Sequence, residues 1–167
     1  ATVILGQGSN TVGDVRLGSG DDALVWTATA SLGGVASGAS ASAGDVFVRG
    51  GNEDGDFQLS EIGVRVMGFE LFHKQGPSTW TLFEDKAIDW TVDQGTLAVA
   101  DTITGTLDTS LGALDAVIRV NPTGTVRRDD GLAAVVLNGG ATLDNQGLVE
   151  TTGGGAAVWT LGSGNHV

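Results

Sequence analysis

Residues 17–24, LGSGDDAL, contain the residue types that a calcium-binding turn requires. In the repeating nonapeptide G-G-x-G-x-D-x-L-x, glycine carbonyls and aspartate carboxylates from adjacent turns surround Ca²⁺, a hard cation that prefers oxygen ligands. Gly18, Gly20, Asp22 and Leu24 stand in the register of that motif. The segment makes calcium a candidate cofactor; the alternative is a metal-free corner in which aspartates cap the backbone.

The preceding copy of the motif argues against a complete calcium site. Residues 5–12, LGQGSNTV, place Ser9 and Asn10 where the later copy has aspartates, and the copies lie 12 residues apart. A site shared by these turns has half the carboxylate charge, so we predict that no metal is bound. A second acidic group lacks the alternation and terminal glutamate of an EF-hand loop, and we interpret it as a solvated turn: Glu53, Asp54 and Asp56.

Hydrolysis or elimination of a polysaccharide needs particular pairs of side chains. Glycoside hydrolysis uses two carboxyl groups about 5–9 Å apart on one face, and Asp89 and Asp93 share a face if their strand is regular. Such pairs also arise by chance on an acidic β surface. A polysaccharide lyase needs Lys or Arg near its metal, and the chain has only eight such residues. We interpret Arg127 and Arg128, beside residues 129–130, as an exposed ion-pair corner that contributes little stability.

Nucleophilic catalysis has little support in the sequence. The histidines are His73 and His166, there is no G-x-S-x-G motif, and the chain contains no cysteine. We therefore predict no enzyme activity and name no catalytic, cofactor-binding or metal-binding residue.

Four tryptophans could stack on sugars or fill a core: Trp26, Trp80, Trp90 and Trp159. Trp80 and Trp159 stand in TWTL and VWTL, flanked by threonine or valine and by leucine. For these two we favour the core.

Short apolar segments with period two predict the elements that position these residues. Examples are TVIL (2–5), ALVWTA (23–28), TWTLF (79–83) and AVIRV (116–120), with Gly, Asn, Asp and Ser between the segments. No window carries an apolar face at helical spacing, and Asn-Gly and Asp-Gly hairpin signals are scarce. Glycine corners between many short strands indicate an all-β fold, a β-solenoid of roughly 7–8 coils.

Composition and net charge limit the classes of molecule that we expect the chain to bind. The chain has 28 glycines and two prolines, yet 41% of it is hydrophobic, which favours a folded domain over a disordered chain. The net charge of −12 disfavours nucleic acid and anionic membranes as partners. No apolar run reaches 18 residues, so we do not expect the chain to be membrane-inserted. Residues 28–44 contain mostly Ala, Ser and Gly, and we predict a protruding loop or a loose coil there.

Several segments resemble the passenger domains of bacterial autotransporters. VDQGTLAV (92–99) is similar to an xxGTLxV strand of that family, and GATLDNQGLVET (140–151) is similar to its coils. Phe72 and His73 are extra residues relative to the family pattern, and Pro77 replaces its usual Gly or Ser. A GFE-L-x-K-x-G-x-x-TWTL pattern is matched at ten positions: Gly68, Phe69, Glu70, Leu71, Lys74, Gly76, Thr79, Trp80, Thr81 and Leu82.

The resemblance implies a right-handed parallel β-helix that is exported through the outer membrane. On this basis we expect residues 1–167 to be a single β-helix segment of a longer passenger, located outside the cell or on the bacterial cell surface. The expected role is a non-catalytic stalk or adhesion segment whose partner is a host-cell or bacterial surface component, or another copy of itself. The alternatives are an RTX-like calcium-stabilised secreted module and a carbohydrate-active β-helix enzyme.

Overall fold

The chain forms a parallel β-solenoid of about seven turns. A computed structural model describes residues 1–38, 44–113 and 115–167. All strand pairs that lie within these ranges are parallel, and the helical structure is a single 3₁₀ turn at Leu59–Glu61. The prediction of an all-β solenoid is therefore confirmed.

One face of the solenoid is an eight-stranded sheet, called the long sheet below. Each coil contributes one strand to it, and consecutive coils are neighbours. Its strands, in spatial order, are β1 (Thr2–Leu5), β4 (Ala23–Thr27), β7 (Val46–Gly50), β10 (Leu71–Lys74), β13 (Trp90–Val92), β16 (Leu107–Thr109), β19 (Val135–Asn138) and β22 (Val158–Leu161).

The other faces are shorter sheets. A five-stranded sheet contains β8 (Gly55–Gln58), β11 (Thr79–Phe83), β14 (Gly95–Val99), β17 (Ala116–Val120) and β20 (Thr142–Asn145). A four-stranded sheet contains β12 (Lys86–Ala87), β15 (Thr102–Thr104), β18 (Thr125–Arg128) and β21 (Leu148–Thr151). The first coils close with a two-stranded sheet, β2 (Asn10–Thr11) and β5 (Ser31–Leu32), and a three-stranded sheet, β3 (Val15–Arg16), β6 (Ala36–Ser37) and β9 (Val66–Met67).

Alternating residues of each strand point into a continuous core. On the long sheet, the register aligns Val3, Leu24, Phe47 and Phe72 as one inward row. The ring of Phe47 lies 5.5 Å from that of Phe57 and 6.1 Å from that of Phe72, distances typical of packed aromatic pairs. Stacked apolar rows of this kind bury side chains between coils as well as between faces.

The period-two pattern predicts that Leu82, Val99, Val136 and Leu161 point inward, and two of these four predictions are right. Leu82 and Val99 are buried, as expected. Val136 is only half-buried and Leu161 is 39% exposed. Val135 and Leu137 are buried in the core instead. The predicted assignment is off by one residue, and a shift of one residue in a strand moves every side chain to the opposite face.

Carboxylates hold the corners of neighbouring coils together. Eight acidic side chains among the described residues accept a hydrogen bond from a backbone N–H one coil away. For example, Asp54 accepts from Thr79 N at 2.7 Å, and Asp89 accepts from Thr106 N at 2.7 Å. The other six are Asp14, Asp45, Glu70, Glu84, Asp85 and Asp101. Much of the negative charge therefore caps backbone groups that the sheets leave unpaired.

The coils differ in length, which shapes the surface. The register advances 17 residues from Trp90 to Leu107 and 28 residues from Leu107 to Val135. Longer coils place their extra residues in loops outside the sheets.

Residues 28–44 contain two short strands within the described ranges. β5 and β6 pair with the coils beside them, and Leu32 and Ala36 are buried. Residues 39–43 lie outside the described residues, so the predicted protrusion of this segment stays a prediction. Among the described residues, no helix is both long enough and apolar enough to cross a membrane.

Candidate functional site

Two groups that the sequence placed far apart meet in the structure. Arg128 Nη1 lies 2.6 Å from Asp89 Oδ1, and its Nε and Nη2 donate to the Asp130 carboxylate at 2.8 Å. The predicted ion pair at this corner is present: Asp89 and Asp130 are 67% and 47% exposed, whereas the Arg128 side chain is 16% exposed. The hydrogen bond from Arg128 lowers the pKa of Asp130. Arg128 is therefore a fixed cross-link between coils.

These residues line a cleft at the corner between the four-stranded and long sheets, called the corner cleft below. It has two adjoining lobes of about 350 and 200 Å³, both lined by Thr104, Arg128 and Asp129. The first lobe extends to Ile88 and the second to Glu150. The connections at residues 88–89 and 105–106 are two residues long, whereas residues 129–134 form a longer loop. This difference in length leaves a step in the surface.

Asp93, the other carboxylate of the suggested hydrolytic pair, is held by three donors. Its Oδ2 lies 2.9 Å from His73 Nδ1 and accepts from Gln75 Nε2 at 3.0 Å, and its Oδ1 accepts from Ser110 Oγ. Burial acts to raise the pKa of Asp93, but the hydrogen bonds from His73, Ser110 and Gln75 lower it overall.

This arrangement is not a nucleophilic triad. Asp93 lies between His73 and Ser110, whereas an activated serine needs the histidine beside it as a base. Asp93 instead ties three successive coils together.

Asp108 lies on the same outward face as Asp93, and its pKa is shifted in the opposite direction. It pairs in register with Thr91, and Thr91 pairs with His73. Burial raises the pKa of Asp108, although a hydrogen bond from Thr91 opposes the change. Two carboxyls whose pKa values move apart are typical of a general acid and its partner. Asp93, however, is held in place by its three contacts with His73, Gln75 and Ser110.

The long sheet also buries two cations that sequence reasoning missed. Arg49 is 6% exposed, and its guanidinium lies 3.8 Å from the Trp80 ring centroid, 4.8 Å from that of Phe57 and 4.9 Å from that of Trp26. Its Nε and Nη1 have no hydrogen-bond partner. Burial lowers the pKa of Arg49 to about 9.

Lys74 occupies the next place in the same inward row, in register with Arg49. It is fully buried, and its Nζ donates to the carbonyl oxygens of Gln75, Gly76 and Gln94 at 2.6–3.1 Å. Burial lowers its pKa to about 8. The signal was available in the sequence, because Arg49 and Lys74 each follow an inward phenylalanine by two residues.

The tryptophans divide between the core and the surface. Trp80, Trp90 and Trp26 are buried, which confirms the core interpretation for Trp80. Trp159 is 55% exposed, so the same interpretation is wrong there. Trp159 aligns with the outward-facing Val136, and β22 has one neighbouring strand.

The candidate calcium turn has a buried carboxylate. Asp22 is 4% exposed; its Oδ1 accepts from the amino group of Ala1, and its Oδ2 has no hydrogen-bond partner. Within residues 1–38, 44–113 and 115–167, no three His, Cys, Asp or Glu side chains form a group that could hold a metal ion. Calcium binding is therefore a question for titration.

Comparison with known proteins adds no relative. No family model matches the chain, and neither a curated protein nor a solved structure matches it.

Proposed function

We propose that the chain is a non-catalytic stalk or adhesion segment of a secreted or surface-displayed autotransporter passenger. The observation that carries this proposal is the uninterrupted long sheet, in which eight strands stack over one continuous core. Such a solenoid can act as an elongated spacer, and it presents a long lateral surface, as solenoid proteins generally do. The proposal places the protein outside the cell, with a surface component of a host cell or bacterium, or a second copy, as partner.

The residues that carry the family resemblance support a structural role. Phe69, Trp80 and Leu82 are buried in the core, and Gly68 and Gly76 adopt positive φ angles at corners. The spacing of these residues is therefore explained by the structure of one coil, and no catalytic role is needed to explain it. We expect proteins with the same residue pattern to form the same type of coil.

Surface labelling of cells tests the proposed location. Antibodies raised against the purified chain should label intact, unpermeabilised cells of the source organism or detect the protein in the culture medium. Labelling that requires permeabilised cells would contradict the proposal. An antibody against a cytoplasmic protein of the same cells is the control for leakage.

A carbohydrate-active enzyme is the second candidate, favoured by the divergent pKa values of Asp93 and Asp108. The purified chain would then release reducing sugar from mixed glycans, and Asp108→Asn would abolish the release. We expect no release from the parent chain, because three hydrogen-bond contacts hold Asp93 between neighbouring coils.

A further inference from the structure

The corner cleft contains charged side chains that have no ion-pair partner among the described residues, although Arg127 and Glu150 are neighbours in the β18–β21 register. Neither Asp129 nor Glu150 makes a side-chain hydrogen bond or ion pair with another described residue. Arg127 donates from Nε to Thr104 Oγ1 at 3.2 Å and has no carboxylate partner in the described part of the chain. The cleft therefore presents free donors and free acceptors side by side.

This mixture selects among ligand classes. The two lobes are lined by four carboxylates, Asp89, Asp129, Asp130 and Glu150, and by two guanidinium groups, Arg127 and Arg128, so an anion is repelled by the excess of negative charge. A cation can pair with the carboxylates, but it meets like charge at Arg127 and leaves the N–H donors of that residue unused. A hydroxyl group both donates and accepts, and adjacent hydroxyls can bind to the fork of an arginine and to a carboxylate at once. Ile88 and Ala87 add apolar surface at one end of the first lobe, against which the C–H face of a sugar ring can pack.

We propose that the corner cleft binds a short segment of a neutral glycan. The carboxylates of Asp129 and Glu150 accept hydrogen bonds from sugar hydroxyls, and Arg127 donates to them. The first lobe, at about 350 Å³, exceeds the lower limit of about 300 Å³ for small-ligand pockets, and the second lobe extends it by about 200 Å³ into a groove rather than a closed cavity. The assignment deepens the adhesive part of the proposed function and rests on it for the origin of the glycan.

The wall of the cleft is preorganised. Arg128 is held by Asp89, Asp130 and the hydroxyl of Thr106, at 2.6–2.9 Å. The loop at residues 129–134 packs closely against the loop at residues 152–157, where a side chain on Gly153 would collide with the carbonyl of Asp129. A fixed wall reduces the entropy that binding costs.

Nuclear magnetic resonance titration of the whole chain tests the proposal. The probes are maltose, cellobiose, lactose and N,N′-diacetylchitobiose, with digalacturonate and diglucosamine as the anionic and cationic comparisons. At least one neutral disaccharide should shift the amide signals of Thr104, Arg127, Glu150 and Thr152. Shifts from none of the neutral probes, or stronger shifts there from a charged probe, would overturn it.

Variants separate the cleft from the rest of the surface. Arg127→Ala and Glu150→Gln should each weaken binding about tenfold, since the first removes a charged donor and the second replaces a carboxylate acceptor with a weaker amide carbonyl. Arg119→Ala is the matched control, because Arg119 is a partly exposed arginine of the same coil on another face, paired with Asp144. Equal loss in the control variant would overturn the assignment. Surface labelling would still decide the proposed location independently of this result.

Discussion

At the scale of single residues, the least expected feature is a positive charge in the core that contacts no carboxylate among the described residues. Arg49 rests against aromatic faces, and Lys74 is surrounded by three carbonyl oxygens. Cation–π contact and ion–dipole contact replace the ion pair that a buried charge normally requires. Both groups reduce stability relative to their neutral forms, as their lowered pKa values indicate.

Lys74 gives the protein a specific pH dependence. Its pKa falls from 10.5 in the unfolded chain to about 8 in the folded one, so between these values the unfolded chain binds more protons. The free energy of unfolding should therefore rise with pH from about 8 upward, by as much as about 3 kcal/mol from this group. Arg49 acts in the same direction at higher pH.

The comparison with Lys74→Met isolates that contribution. Urea unfolding of parent and variant from pH 7 to 10 should give a difference that grows with pH, because only the parent gains stability from losing this proton. A constant difference across the range would mean that Lys74 titrates normally. The variant also leaves three carbonyls without their donor, so its stability at pH 7 is not itself the test.

At the scale of elements, the sequence predicted the strands well and their inward faces less well. Period two and glycine corners identify strands such as TWTLF, where Trp80 and Leu82 alternate with exposed or half-buried positions. In AAVVL the apolar residues are consecutive, so the pattern does not distinguish the two faces. Only pairing with β16 and β22 fixes Val135 inward and Val136 outward.

A matched pair of substitutions tests that register. Val135→Thr places a hydroxyl in the core and should cost about 1–3 kcal/mol of unfolding free energy. Val136→Thr, on the outward face, should change it by less than about 0.5 kcal/mol. Thermal and urea unfolding of both variants give the answer. Equal losses would show that the two faces are assigned wrongly.

Corner carboxylates allow a similar comparison between neighbours. Asp54 accepts from Thr79 N of the neighbouring coil, whereas Asp56 is exposed and makes no such bond in the described structure. Asp54→Ala should therefore cost about 1 kcal/mol, as loss of a backbone cap does elsewhere. Asp56→Ala should be neutral. If the two variants unfold alike, the carboxylate does not stabilise the corner.

At the scale of the whole molecule, the corner cleft could not be predicted from the sequence. Asp89 and Arg128 are 39 residues apart, and the pair forms because coils of unequal length stack in one register. Coil length depends on loops, and glycine-rich loops carry little periodic signal. The sequence therefore indicated the type of fold and the charged residues, but not which of them would meet.

Metal dependence is a property of the whole fold that is simple to measure. We expect a chelator to leave the melting temperature nearly unchanged, because the turn with Ser9 and Asn10 supplies no carboxylate to pair with that of Asp22. A ligand that binds only the folded chain stabilises it by RT ln(1 + [L]/Kd), so the melting temperature rises with the ligand concentration. A rise of many degrees with millimolar Ca²⁺ would therefore show a real site and favour the calcium-stabilised alternative.

Association of the purified chain follows from its two sheet edges. β1 and β22 each have one partner strand in the long sheet, so each leaves backbone N–H and C=O groups unpaired among the described residues. Ile4 and Trp159, on these strands, are 65% and 55% exposed, which adds apolar surface to both edges. We expect copies to associate edge to edge.

The net charge of −12 opposes this association at low ionic strength, and salt screens the repulsion beyond about 10 Å at 0.1 M. The apparent mass in light scattering should therefore rise with salt. Trp159→Lys, which places a charge at the edge, should suppress the rise, while Val64→Lys, at another exposed apolar position, should not. A monomer at every salt concentration, with β22 as protected from hydrogen exchange as β13, would show that the edges are closed.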